Sequence, residues 1–440
     1  MERKPVVEKH NSEPHKMESI SKTSYWLLTL VIYLCVAANG FIDNMRSVTY
    51  PDIMQELHLD HVHYGMLQSL GQFSYLIWAL LAAFSMPHIG FKATFSISLV
   101  ITIIGSVLTI FTSNFWLLMF IQLLATCSNG VLDDGPSSLA VYLFTKYPAV
   151  MFCIMSGIYG FGAFVAPIFA SFILKCIKGS NYKQIYLWMN IPLAAVLVFM
   201  LCVRFAVQKP KTNPEEKKSV LHYMRSPLIW YCAILLNFLA TAERGTLSWG
   251  TLYVEEVLHL DPEVGARLSS QFYFIFMCAR IAGGFIADWI GPFLMEYIII
   301  PLGIVVYVVG FLLGKNGLYV LPFTGLFVSL YWPTMVICCR RYWKDEVSIP
   351  ISCMLPLQSV AGMIIQYSLG YMNDKWGPQY AYWMSVPAAM IGYLMFIGFD
   401  FICKRKEEKE IKQPLIENVD VAFSVCCYRS YSYEITLGSR

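Results

Sequence analysis

Apolar runs long enough to cross a bilayer alternate with short polar breaks along nearly the whole chain. They predict helices at 24–43, 63–86, 93–112, 115–144, 150–174 and 185–207, then at 227–256, 265–287, 293–314, 318–339, 351–372 and 380–403. A helix rises about 1.5 Å per residue, so roughly 20 apolar residues span the hydrocarbon core. Between the sixth and seventh runs lies Gln208-Lys-Pro-Lys-Thr-Asn-Pro-Glu-Glu-Lys-Lys218, the longest polar stretch inside the chain. The pattern divides the chain into a tail at 1–23, a six-helix half at 24–207, a linker at 208–226, a second six-helix half at 227–403 and a tail at 404–440. The last of these is too polar to bury a core, and its composition predicts disorder.

Composition agrees with a polytopic membrane protein. The 440 residues are 57% hydrophobic and 14% charged, with a mean hydropathy of +0.55, which leaves too little polar surface for a water-soluble globule. Residues 1–23 contain no apolar segment with a cleavage site, so the first run is expected to serve as its own insertion signal. Lys and Arg gather in the N-terminal tail, in the linker, at Arg340, Arg341 and Lys344, and at Lys404, Arg405, Lys406 and Lys409. Twelve crossings put all four groups on one side, and the positive-inside rule makes that side, with both termini, cytoplasmic. Lys175, Lys178 and Lys183 run against the rule. Acidic, histidine-containing loops, Asp52–His63 and Glu255–Glu263, fall on the opposite side after the first and seventh runs, a weak internal repeat. Which membrane is crossed, the plasma membrane or an endomembrane, is left open. Thirteen cysteines occur without any CxxC or Cys/His spacing, so no metal and no cofactor are expected. Nor is there a nucleotide loop or a nucleophile with a base nearby. The expectation is a protein that is not an enzyme and has no nucleic-acid partner.

Polar side chains inside the runs carry the chemistry. Asp133 and Asp134 sit between apolar Phe115–Ala125 and apolar Leu139–Phe144. A carboxylate at membrane depth costs about 2.5–3.5 kcal/mol even on the lenient insertion scale, so it faces a cavity or a partner. Gly135-Pro136 then breaks the helical hydrogen-bond ladder, which a bilayer tolerates only where protein or water re-satisfies the backbone. A helix end in headgroup water is the alternative, and the apolar residues beyond it speak against that. In the first run, Asn39 and Asp43 are four apart and Arg46 is three further on, all on one helical face. Asp43 and Arg46 either neutralise each other near a surface or belong to a polar site. Glu243-Arg244 in the seventh run is another buried charged pair, which either neutralises neighbouring helices or contacts substrate or a gate. Gln68 and Gln72 share a face at i, i+4 spacing.

Several short stretches resemble one family. Arg280-Ile-Ala-Gly-Gly-Phe-Ile-Ala-Asp-Trp-Ile-Gly291 resembles the loop signature of the major facilitator superfamily, glycine–aliphatic–acid–x–x–glycine, and Met86-Pro-His-Ile-Gly-Phe-Lys92 is its counterpart without the acid. Gly65-Met-Leu-Gln-Ser-Leu-Gly-Gln-Phe-Ser-Tyr75 and Leu132-Asp-Asp-Gly-Pro-Ser-Ser138 are similar to the second and fourth helices of its fucose–proton symporter group. Phe161-Gly-Ala163 and Gly325-Leu-Phe-Val-Ser-Leu-Tyr-Trp-Pro-Thr334 are similar to the fifth and tenth, while Glu243, Trp249 and Tyr253 match a seventh-helix pattern. Ser47 stands where that group's first helix carries an aspartate.

The resemblance implies an all-α fold of twelve transmembrane helices in two six-helix halves, and transport of a small polar solute by alternating access. The solute it implies is a sugar, with the proton or another ion as coupling ion and the lipid bilayer as surroundings. Asp133 takes the position of the proton-coupling acid and Asp43 is the second acid considered for that role. A sugar site needs amides and carboxylates for hydroxyls and aromatic faces for C–H surfaces. Asn39, Asn44, Gln68, Gln72, Tyr75, Tyr159, Glu243, Trp249 and Gln358 are the candidates. Gly283, Gly284, Asp288 and Gly291 would form a gating latch. Two other classes remain: an uncoupled facilitator or organic-anion carrier centred on Arg46, Arg244 or Arg280, and a transport-inactive relative acting as sensor or scaffold. The charge map is checked by tags at residues 1, 215 and 440, all of which should be protected in intact cells. Exposure of the tag at 215 alone would refute the count of twelve.

Overall fold

The structure, a computed structural model, describes residues 21–144, 148–177, 181–205, 224–344, 348–377 and 379–408. The tail before 21, the linker through 223 and the tail after 408 lie outside the described residues. All regular elements described are helical. The first half comprises α1 (Lys22–Glu56), α2 (His61–Ile89), α3 (Phe91–Ile110), α4 (Phe115–Ala125), α5 (Cys127–Leu143), α6 (Pro148–Cys176), α7 (Tyr182–Trp188) and α8 (Asn190–Cys202). The second comprises α9 (Pro227–Ser248), α10 (Pro262–Ile290), α11 (Pro292–Leu312), α12 (Thr324–Trp343), α13 (Ser348–Trp376), α14 (Gln379–Trp383) and α15 (Ser385–Glu408). The pairs α4–α5, α7–α8 and α14–α15 each make one crossing, which gives the expected twelve.

Local sequence sets the helix ends. Asp60 accepts from the backbone N–H of His63 at 2.8 Å, and Asn114 from those of Trp116 and Leu117 at 2.9 and 3.3 Å. Pro227, Pro262 and Pro292 open α9, α10 and α11, where a missing N–H costs nothing. Gly90 and Gly291, at φ of 86° and 88°, end α2 and α10 in a backbone conformation that only glycine adopts without strain.

Two boundaries differ from expectation. The first run was expected to end at 43, yet α1 continues to Glu56. Its added turns are polar but face protein: Thr49 is fully buried beside the Tyr186 hydroxyl. Asp52–Glu56 therefore belongs to helix rather than loop. In the fourth crossing the interruption falls at Thr126, not at Gly135-Pro136, and Pro136 rides inside α5. Buried hydroxyls settle the break: Thr126 donates to the Ser74 hydroxyl at 2.6 Å, and Thr102 accepts from the Ser128 backbone N–H at 2.9 Å.

Nine helices among the described residues are long and apolar enough to cross a membrane by composition alone. Three further long ones, α9, α10 and α13, are more polar because each turns side chains such as Arg244, Arg280 and Gln358 toward a central cavity. Outward, Phe84, Phe111, Leu312 and Trp289 stand exposed, a surface suited to lipid rather than water.

The halves meet through α2 against α13 and α6 against α10. These contacts lie at the face away from the ends of α1 and α15 that lead to the tails, here termed the distal face. Gly65 and Gly370 cross so closely that a Cβ on Gly65 would stand 2.9 Å from the Gly370 Cα. Ser69 donates to the Met363 carbonyl at 2.9 Å, His61 meets Glu256 at 2.8 Å, and Lys175 meets Glu263 at 2.9 Å. Lys183 pairs with Glu56 within the first half. Two of the three lysines that oppose the charge rule are thus matched by acids; Lys178 lies outside the described residues. On the opposite face Arg341 joins Asp400 and Glu407, at 3.0 and 2.7 Å, stitching α12 to α15.

The molecule is therefore sealed distally. Gly65→Leu should block that seal, because the added side chain meets backbone, and overpacking of this kind costs about 1–3 kcal/mol. Cysteines placed in the cavity should then react with an impermeant thiol reagent added on the distal side. Unchanged labelling relative to the parent would count against the crossing as the seal.

Candidate functional site

Between the halves lies a cavity of about 790 Å³, within the range of pockets that enclose small organic molecules. Among the predicted residues, Asn39, Asp43, Asn44, Gln68, Gln72, Tyr75, Asp133, Tyr159 and Gln358 all line it. Gly283 lines it too, packed against Leu330. Trp249 does not. It is fully buried in the distal seal, donating to Gln366 Oε1 at 2.9 Å with its ring 4.8 Å from that of Tyr64. The seventh crossing is interrupted there: α9 ends at Ser248, with Trp249 just past its end, so a continuous-helix count misplaces the indole. The side chains of Glu243 and Asp288, and the packing of Gly284, lie outside the described residues. Gly291 sits at the α10–α11 turn, away from the cavity.

Three carboxylates, Asp43, Asp133 and Asp134, stand on the wall formed by the first half, and two of them are held by matching donors. Asp133 on α5 accepts from Asn39 Nδ2 of α1 at 3.3 Å and from the Tyr75 hydroxyl of α2 at 2.9 Å. Asp43 on α1 accepts from Asn129 Nδ2 of α5 at 2.8 Å and from the Tyr159 hydroxyl of α6 at 3.0 Å. Each acid thus takes one amide from the other acid's helix and one phenol from a third. The carboxylates accept only, so both amides must present nitrogen to them. Asn39 and Asn129 are 3% and 4% exposed, and neither can rotate away without orphaning a buried group.

The local sequence behind this arrangement occurs twice. Asn39-Gly-Phe-Ile-Asp43 and Asn129-Gly-Val-Leu-Asp133 share Asn-Gly-x-x-Asp. The glycine between the polar positions lets in the helix that supplies the phenol. A Cβ on Gly40 would overlap the Tyr159 carbonyl oxygen, and one on Gly130 would stand 2.6 Å from that of Tyr75. Sequence reasoning singled out one member of the repeat at a time and overlooked Asn129. Comparing the flanks of the two acids would have found it.

The two acids differ in the cations around them. Asp43 is ion-paired with Arg46 one turn on, whose Nε also donates to the Asp43 carbonyl at 3.4 Å. On its own helix Asp133 has Pro136 where Asp43 has Arg46, and the cation that acts on it, Arg280, belongs to the opposite wall. Asn44 bonds back to its own helix, to the Gly40 carbonyl at 2.9 Å. On the opposite wall Arg244 donates to Asn237 Oδ1 at 2.8 Å and, across the halves, to Gln72 Oε1 at 3.2 Å. Asn237 in turn donates to the Gln358 carbonyl at 2.6 Å. Arg280 also lines the cavity, its guanidinium 5.0 Å from the Phe276 ring centre. The first half's wall is thus acid and amide, and the second half's wall is basic and amide.

Gly130→Leu should displace α2 and pull Tyr75 from Asp133, at a stability cost of about 1–3 kcal/mol. A lowered melting temperature of the purified protein, with Val198→Leu on the exposed outer surface as a control, checks this. An unchanged melting temperature for Gly130→Leu would refute the packing account.

The family model described as Major Facilitator Superfamily matches residues 32–349. Among solved structures, a mutant form of the E. coli fucose:proton symporter FucP is 17% identical at a TM-score of 0.61, covering 86% of this chain and 98% of its own. A mutant form of the nucleoside transporter NupG is 11% identical at 0.68, covering 84% and 99%. A bacterial homolog of the human lysosomal transporter Spinster, in an inward-facing and occupied conformation, is 12% identical at 0.64, covering 88% and 97%. At these identities the likeness concerns the fold alone. No curated protein matches the chain.

Proposed function

The chain belongs to the major facilitator superfamily, and we propose that it carries a sugar together with a proton, with Asp133 as the group that takes and releases the proton. That it is a multi-pass membrane protein of a secondary-transporter family follows from the family itself. The sugar and the proton are our reading of the cavity.

The observation that carries the reading is the contrast between two otherwise equal carboxyls. Asp43 is ion-paired with the Arg46 guanidinium. Asp133 accepts from an amide and a phenol, both neutral, and the cation that acts on it, Arg280, stands on the opposite wall of the same cavity. Neutral donors support a carboxylate yet leave it able to accept a proton when the cavity changes. For the solute, the wall offers amides at Asn39, Gln68, Gln72 and Gln358 and rings at Tyr75 and Tyr159, suited to hydroxyls and C–H faces. The distal seal is the second half of the mechanism. Opening the distal face must break Arg244–Gln72 and the α2–α13 crossing, so the cavity is accessible from one side at a time. On this reading both termini lie in the cytoplasm, and the membrane is the plasma membrane or an endomembrane.

A second reading has an observation of its own. Arg244 and Arg280 on the basic wall suit an organic anion, for which they would be the central charges. Competition of uptake by organic anions rather than by hexoses would favour it.

Asp133→Asn mimics the permanently protonated acid, keeping size and hydrogen bonding while unable to release a proton. In proteoliposomes with labelled hexoses it should abolish pH-driven accumulation yet retain counterflow, whereas Asp134→Asn should do much less. Continued accumulation by Asp133→Asn would place the coupling elsewhere. Absence of pH-driven uptake in the parent would leave an uncoupled facilitator, and absence of all uptake a transport-inactive relative.

A further inference from the structure

We propose that the wall contains two equivalent proton sites and that Arg46 occupies one of them, so that Asp43 is a second proton site silenced by a built-in cation. The inference rests on the reading of Asp133 given above and extends it to the residue that fixes how many carboxyls take part.

The equivalence is one of construction. Each acid stands four residues after an asparagine and three after a glycine. Each accepts from the asparagine of the other motif and from a tyrosine on the helix that the glycine admits. Both line one cavity. The difference lies three residues past the acid, where the first motif has Arg46 and the second has Pro136. Proline has no group that could reach Asp133, whereas Arg46 pairs with Asp43. The neighbouring helix makes room for that guanidinium. A Cβ on Gly71 of α2 would overlap Arg46 Nη1, so any larger residue there would displace it. The place of a proton on Asp43 is thus taken by a cation with a niche of its own.

The charged and titratable groups around each acid carry the contrast further. Asp43 has Arg46 on its own helix and Tyr159 from α6, with Asn129 from α5. Asp133 has Tyr75 from α2, Asp134 beside it and Arg280 acting from the second half's wall, with Asn39 from α1. Arg280 moves with its half when the cavity changes shape, whereas Arg46 sits on the same helix as Asp43 in every state. A fixed cation silences; a moving one gates.

The test needs no identified solute. Dicyclohexylcarbodiimide adds to a protonated carboxyl in apolar surroundings, the acid proton going to nitrogen, and an acyl shift leaves a stable N-acylurea that peptide mass mapping locates. In membranes containing the full chain, Asp133 should be modified and Asp43 spared. In Arg46→Gln both should be modified, with labelling of Asp43 raised about tenfold or more. Arg46→Lys, which keeps the charge, should leave Asp43 spared. Equal labelling of Asp43 in the parent and in Arg46→Gln, or no labelling of Asp43 in Arg46→Gln while Asp133 is modified, overturns the proposal. Should Asp133 remain unmodified throughout, the reading of Asp133 as the proton carrier fails, while the response of Asp43 still decides the present question. If Arg46→Gln fails to accumulate and Asp43→Asn/Arg46→Gln recovers abundance, Asp43 has stayed charged without its cation and the proposal is overturned; if neither accumulates, Arg46→Ala is labelled under the same criteria.

Discussion

Two carboxylates inside a lipid-facing bundle have to be satisfied, and much of the first half is arranged to do so. Each lost hydrogen bond to a buried charged group costs about 1.5–3 kcal/mol, and the fold meets the demand by exchanging amides between α1 and α5. That exchange fixes the rotation of both helices, since turning either one withdraws an asparagine from the other's acid. The glycines that precede the acids then fix which helices pack alongside, α6 against α1 and α2 against α5. The polar wall is therefore rigid, held within one half rather than across the two.

Between the halves the chemistry is different. The distal contacts combine close glycine crossings with single polar bridges, His61 to Glu256 and Lys175 to Glu263, of the kind that contributes about 1 kcal/mol or less each where solvent reaches them. A seal of this type is closed by shape and adjusted by charge. It can part without disturbing the wall, as rocking of one rigid half against another requires. Arg244 is the exception in placement, reaching across to Gln72 at the cavity itself. Any opening of the distal face alters what Arg244 presents to a bound solute.

Most of the architecture was legible in the sequence. Twelve crossings and the acids of α1 and α5 follow from hydropathy, because lipid demands long apolar segments and makes every polar exception conspicuous. Boundaries were read less well where a helix faces protein. The last turns of α1, from Asn44 to Glu56, are polar yet helical, since buried partners such as Tyr186 do there what lipid does elsewhere.

What the sequence determined alone was the inventory: which helices exist, which of them carry charges, and that Asp133, Asn39, Gln72 and Tyr75 are polar groups at membrane depth. Tertiary structure decided the pairing. That Asn39 serves Asp133 and Asn129 serves Asp43 depends on α1 and α5 lying side by side, with the partners 94 and 86 residues apart in the chain. That Trp249 belongs to the seal depends on the interruption of the seventh crossing after Ser248 and on Gln366 and Tyr64 from other helices. Hydropathy records whether a side chain meets lipid or something else. It holds no information on which distant side chain that something is, because the choice is made by helix packing and not by the local chain.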